Sequence, residues 1–219
     1  MISSKAKEAV GWYSKNRVIY QTLAKKVESI VREILESKSI NCHSITSRAK
    51  PISSYKEKAS QEKYKNPRSE IKDMAGIRVI TYTDSDAKRV SEIVEGIFEI
   101  DLKHSIDKAK QLGVDRVGYR SIHYVGTLGR GRLKLPENTM FKDMCFEIQI
   151  RSILQHAWAE FEHDRNYKFK GVLPTDMIRR LSILAGSLEL IDREFDSISE
   201  AIDVYAKDVG EKAELGDLS

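Results

Sequence analysis

Residues 144–168 read MCFEIQIRSILQHAWAEFEHDRNYK. Cys145, Glu147, Gln149 and Arg151 alternate with Phe146, Ile148 and Ile150. That period of two is the signature of a strand with one buried apolar face. The period then changes. Leu154, Ala157, Trp158 and Phe161 follow helical spacing, with His156, Glu160, His163 and Asp164 on or near the opposite side. A polar strand face bearing a carboxylate, an amide and a guanidinium therefore runs straight into a polar helix face, as the wall of a cleft would.

Working outward from this stretch, Ile77–Tyr82 (IRVITY) is a strand, and a helix over 84–97 follows it, capped by Asp84 with Val90, Ile93, Val94 and Ile97 inward. Ile40–Arg48 is rich in β-branched residues and reads as the first strand. Pro51 suits the first turn of a helix over 51–64, which Asn66-Pro67 breaks. Residues 4–38 read as helix, in two segments around Ser14–Asn16, with Leu23, Val27, Ile30, Val31, Ile34 and Leu35 as one apolar stripe. Phe98–Lys103 and Tyr119–Leu128 are further strands, 105–117 is polar and unassigned, and Gly126–Pro136 is a hairpin-like loop. Pro174 starts a helix to about residue 212, striped by Ile178, Leu181, Leu184, Leu188, Ile191, Phe195, Ile198 and Ile202. The stripe exceeds one domain face and is long enough also to pack against another subunit.

About five strands interleaved with helices give an α/β (α+β) domain, a mixed sheet flanked by helices with helical extensions at both ends. The whole of 1–219 reads as a single domain: N-terminal helices over 1–38, a core over 39–168 and a C-terminal helix over 174–212. With 41% apolar and 32% charged residues the composition is that of an ordinary globular protein, and a net charge of +4 leans towards anionic ligands such as nucleotides. Cys42 and Cys145 lack metal-ligand spacing, so buried free thiols and a cytoplasmic setting are expected. No run approaches a membrane span, and MISSKAKEAVGWYSK lacks the apolar core of a signal peptide.

Four constellations carry chemistry. In SRAKPISSYKEK (47–58), Arg48 and Lys50 share a strand face, and Ser54 and Lys58 follow at four-residue steps on the helix that Pro51 begins. Cations converging on a strand–helix junction suit a polyphosphate; on charge alone, a solvated basic surface is the alternative. Asp73 precedes the strand GIRVITY and is either a turn residue or, with Glu147 in the same sheet, half of a carboxylate pair able to hold Mg²⁺ against phosphate. In GYRSIHY (118–124), Tyr119 and His123 project to one side, where the ring either stacks on a base or packs in the core. His156, Glu160 and His163 have the spacing of zinc ligands or of a structural hydrogen-bonded cluster.

Taken in order from about Arg48 to Lys168, these motifs resemble the synthetase domain of the RelA/SpoT family, the alarmone synthetases. The carrying segments are SRAK with the following serine and lysine, IKDMAGIRVI, GYRSIHY and FEIQIRSILQHAWAEFEHDRNYK. The resemblance implies a nucleotidyltransferase-like synthetase fold of the small, single-domain type. It implies that Arg48, Lys50, Ser54, Lys58 and Arg78 hold ATP, and that Asp73 and Glu147 are catalytic through Mg²⁺. Tyr119, His123, Gln149 and Arg151 would bind the acceptor. The implied reaction is a GTP/GDP pyrophosphokinase making (p)ppGpp and AMP. One departure bears on the acceptor. Asp115 and Val117, in QLGVDRVGYRS, stand where many makers of guanosine alarmones carry lysine and asparagine. Pyrophosphorylation of the tRNA 3′ end, an adenosine acceptor, and a silent nucleotide-binding regulator stand as the alternatives. The family's small members are often homo-oligomers built through terminal helices.

Overall fold

The computed structural model describes residues 4–107, 121–168 and 173–214. Its centre is a sheet whose strands run in the order β1 (Cys42–Ala49), β2 (Ala75–Thr81), β6 (Phe146–Ser152), β5 (Ile122–Thr127) and β3 (Glu99–Ile100), with β4 (Ile106–Asp107) paired to β5. The β2–β6 pair is parallel and the other pairs are antiparallel, so the sheet is mixed. One face is apolar in register: Ile45, Val79, Ile150 and Ile122 lie side by side, and so do Ser47, Ile77, Ile148 and Tyr124. Helices α1 (Ser4–Ser37) and α4 (Asp84–Ile97) pack against these strands and join them in one core, in which Ile148 and Ile150 are fully buried.

Several element ends differ from the sequence expectation, each for a local reason. Helix α1 is unbroken at Ser14–Asn16, where Asn16 Nδ2 donates to Trp12 O at 2.8 Å without interrupting it. Thr83, not Asp84, caps α4, its hydroxyl accepting the Asp86 N–H at 3.2 Å. Asp84 takes a first-turn place and accepts from Gln155 Nε2 at 2.7 Å. Helix α2 (Ile52–Ala59) stops well short of residue 64, with Ser60 Oγ donating back to Lys56 O at 2.8 Å; a short helix α3 (Pro67–Glu70) follows. The Phe98 strand ends at Ile100, because Asp101 Oδ1 accepts the N–H groups of Lys103 (3.1 Å) and His104 (3.3 Å) and turns the chain.

The hairpin expected over Gly126–Pro136 is a helical turn instead. Strand β5 continues to Thr127, and Gly129 at φ 76° turns the chain into α5 (Gly129–Leu133), which a 3-10 turn over Pro136–Phe141 follows. Arg132 in this basic segment is engaged structurally: it donates to Ile97 O and lies 5.4 Å over the Phe98 ring. Of the strand expected over Tyr119–Leu128, Ile122–Thr127 is observed; Tyr119 and Arg120 lie outside the described residues, with most of the unassigned polar run.

Strand β6 leads directly into α6 (Ile153–Lys168), and α7 (Thr175–Glu214) follows Pro174. The stripe of α7 is largely uncovered: Ile178, Leu184, Ile191, Phe195, Ile198 and Ile202 are 43% to 60% exposed. Ala185 is buried on the docked side of α7, and two polar links fix the helix in place. Ser152 Oγ donates to Asp192 Oδ2 at 2.8 Å, and Asp196 Oδ1 accepts from the Ser85 N–H (3.0 Å) and hydroxyl (2.7 Å). Among the described residues no helix is long and apolar enough to cross a membrane. Both cysteines are free and partly buried, and burial pushes the Cys42 thiol up to about 11.

Because Ile148 lies at the centre of the apolar face, Ile148→Ala should cost about 2–5 kcal/mol of folding stability in urea titrations. A loss below about 1 kcal/mol would contradict this placement of the core.

Candidate functional site

The other face of the sheet is polar, and the same registers order it. Arg48, Gly76 and Glu147 form one cross-strand row; Thr46, Arg78, Gln149 and His123 form the next. Arg48, Lys50, Asp73, Arg78, Glu147 and Gln149 line a single cavity of about 240 Å³. Its floor between Arg48 and Glu147 is Gly76, where a Cβ would meet only Arg48 O at 3.8 Å. The glycine is therefore not forced by packing, and its missing side chain leaves room in the cleft.

Asp73 enters from the chain just before β2. Lys50 Nζ and Lys58 Nζ both donate to its Oδ2, at 2.7 and 2.9 Å. Its Oδ1 is buried with no hydrogen-bond partner among the described residues. Burial works to raise the Asp73 carboxyl, but the two ammonium groups outweigh it and hold the carboxyl below its ordinary range. Ser54 lies one turn before Lys58 on α2.

Glu147 is held on both oxygens: His123 Nδ1 lies 3.2 Å from Oε1, and Gln149 Nε2 donates to Oε2 at 2.9 Å. The other imidazole nitrogen, Nε2, lies 3.0 Å from Ser121 Oγ and 3.5 Å from Arg151 Nη2. A carboxylate only accepts, so Nδ1–H donates to Glu147. Burial pushes the Glu147 carboxyl up and the His123 and Gln149 bonds pull it down; the net shift is downward, which keeps it ionised. Arg151 is 8% exposed, and its Nε is buried without a partner among the described residues.

Arg78 reaches across to α6, where Glu160 Oε1 takes it at 3.0 Å; His156 Nδ1 stands 3.7 Å from the same oxygen. Glu160 thus faces the cleft cation, and the His163 side chain lies outside the described residues. Burial, then the Arg78 charge, push the His156 imidazole below its usual value. Tyr119, expected to stack on a base, also lies outside the described residues.

Sequence reading overlooked Gly76, although a glycine interrupting the apolar strand AGIRVIT was a signal for it; it grouped Glu160 with His156 but did not foresee the ion pair of Glu160 with Arg78. It also overlooked Tyr13, Arg17 and Gln21 on α1, whose only signal is their four-residue spacing.

The donor set is two carboxylates, one with an oxygen still free. Among the described residues no group of three or more His, Cys, Asp or Glu side chains gathers as a metal site. Oxygen ligands so few in number fit a hard divalent cation that draws its remaining ligands from phosphate and water.

A mixed sheet with a cation-lined cleft between β1, β2 and β6 suits a polyanionic ligand. Residues 47–172 match the family described as a region found in RelA / SpoT proteins. The chain belongs to that family. It is 30% identical over 162 residues to the GTP pyrophosphokinase YjbM of Bacillus subtilis, covering 70% of each chain. The structure of a GTP pyrophosphokinase family protein from Streptococcus pneumoniae is similar, with a TM-score of 0.68, 26% identity and coverage of 88% of this chain and 94% of that one. The fold is also that of the small alarmone synthetase 1 from Bacillus subtilis bound to its product pppGpp, with a TM-score of 0.67, 24% identity and coverage of 87% and 97%.

The Asp73 ion pairs have a pH signature. A carboxyl whose folded value is depressed stabilises the fold above the unfolded-state carboxylate range, and that contribution is lost as pH falls through the folded value. Urea midpoints for wild type and Asp73→Asn should therefore differ most near pH 7 and converge as pH falls through the depressed value of the folded carboxyl. A constant gap across that range would count against the two-lysine grip.

Proposed function

We propose that this protein is an ATP-dependent pyrophosphokinase. It moves the β,γ-pyrophosphoryl group of ATP to the 3′-hydroxyl of GDP or GTP, giving ppGpp or pppGpp and releasing AMP. The observation that carries this reading is the meeting of Asp73 and Glu147, far apart in sequence, in one cavity walled by Arg48, Lys50 and Arg78. The naming of YjbM as a GTP pyrophosphokinase supports the same class of reaction.

The acceptor hydroxyl oxygen attacks the β-phosphorus, and the bond from that phosphorus to the oxygen bridging the α-phosphate breaks. AMP leaves with the bridging oxygen. Glu147, ionised and held by His123 and Gln149, takes the hydroxyl proton. Arg48, Lys50, Lys58 and Arg78 spread the charge that develops on the phosphoryl oxygens, with Ser54 as a further donor on α2. Lys50 and Lys58 already point at the cleft through Asp73, so a triphosphate meets cations held in place. Asp73 and Glu147 would hold a Mg²⁺ ion, which would supply charge neutralisation and alignment at the transferred group.

On the acceptor side, His123, Gln149 and Arg151 continue the polar face beyond Glu147, and the unpaired Arg151 Nε suits an acceptor phosphate. Tyr119 is the candidate stacking ring. A consumer of ATP with these substrates works in the cytoplasm.

Purified protein incubated with labelled ATP, Mg²⁺ and GDP or GTP should release AMP and yield a guanosine product carrying two more phosphates. Label on deacylated tRNA or on an adenosine nucleotide instead would reassign the acceptor, and no transfer to any of them would overturn the reading. Glu147→Gln should lower kcat by about 10²–10⁴-fold while the protein stays folded.

The apolar stripe left uncovered on α7 supports packing against a second copy of this chain. Sedimentation should then give a mass above that of the monomer, and Leu184→Glu should return it to the monomer. A wild type that is monomeric at micromolar concentration would remove this part of the proposal.

A further inference from the structure

The junction that delivers Lys50 to the cleft is gripped from behind by α1. Tyr13, Arg17 and Gln21 stand at four-residue steps on one face of that helix. The Tyr13 hydroxyl donates to Lys50 O at 2.7 Å. Arg17 Nε donates to the same carbonyl at 3.2 Å, and its Nη2 donates to Ala49 O at 3.3 Å. Gln21 Oε1 accepts the Ala49 N–H at 2.9 Å. All four bonds fall on two consecutive residues, at the point where β1 ends and Pro51 opens α2.

That convergence exceeds what the fold alone calls for. Pro51 has no N–H, and its ring restricts the backbone of Lys50. Lys50 N–H is already bonded to Met74 O at 2.9 Å, next to Asp73. The α1 side chains add a hold on the carbonyl side, so the lysine backbone is fastened at both ends. Tyr13 also stacks its ring on Tyr55 of α2, with centroids 4.3 Å apart and both rings fully buried. The same helix face thus touches the chain on either side of Pro51, and the side chain between those points ends 2.7 Å from Asp73.

We propose that Tyr13, Arg17 and Gln21 are positioning residues for ATP binding, acting through Lys50. This rests on the reading of Lys50 as an ATP ligand. None of the three lines the cavity. They set where the Lys50 ammonium stands, and with it the direction from which the polyphosphate is met. Arg17 is the central member, because its planar fork bridges two carbonyls and lysine cannot reproduce that geometry.

The test is a double-mutant cycle read by initial-rate kinetics, with ATP and the guanosine acceptor varied separately. Arg17→Lys should raise the KM for ATP about tenfold and leave the acceptor KM within about twofold. Tyr13→Phe, which keeps the ring stacked on Tyr55, should act in the same direction by about threefold. In a Lys50→Met background, Arg17→Lys should add nothing further. Equal effects on both KM values, no effect on either, or full additivity with Lys50→Met would overturn the positioning role. Should Lys50→Met itself leave the ATP KM at the wild-type value, the reading of the site fails and not merely the role of α1. If Arg17→Lys does not fold, Tyr13→Phe carries the same expectations, because its ring packing is retained.

Discussion

The parallel ladder between β2 and β6 is the constraint on which the rest depends. It sets Gly76 opposite Glu147 and Arg78 opposite Gln149. Parallel neighbours cannot be joined by a tight turn, so the chain must leave the sheet and return by a long crossover, which α4 begins. Everything polar on the cleft face follows from that single register. A slip of one residue would turn Ile148 outward and bury Glu147 in the core. The buried row through Ile77, Ile148 and Tyr124 disfavours that slip, so the hydrophobic face fixes the chemistry of the opposite one.

Within the cleft the cations outnumber the carboxylates. Arg48, Lys50, Lys58, Arg78 and Arg151 face Asp73 and Glu147. Burying carboxylates is costly unless they are paired, and here each has partners: two lysines on one, an imidazole and an amide on the other. The surplus of positive charge remains for a polyanion. The resting network is thus both a stable arrangement of charges and an arrangement in which phosphate oxygens can compete with Asp73 for the same two ammonium groups.

Strong periodicity made much of this legible. The alternation in residues 145–151 located β6, and the shift to helical spacing located α6 within a residue or two. Helix α4 over Asp84–Ile97 and helix α7 after Pro174 were equally clear. Arg48, Lys50, Asp73, Arg78, Glu147 and Gln149, legible from their motifs, line one cavity. What failed was decided by single side-chain bonds. Asp101 ended a strand by capping the next turn, and Gly129 opened a helix where a hairpin was expected. Tyr13, Arg17 and Gln21 were invisible because a polar helix face bonded to backbone looks, in sequence, like one bonded to water. The length of the α7 stripe already exceeded one domain face, but apolar spacing tells which residues could be buried, not what is there to cover them.

The attachment of α7 has a consequence of its own. Oily surfaces tolerate sliding, but Ser152–Asp192 and Ser85–Asp196 are directional and lie one helical turn apart on α7. A helix pinned in this way cannot creep along its axis without breaking both links at once. Its azimuth is therefore keyed to Ser152, the last residue of β6 and the neighbour of Arg151.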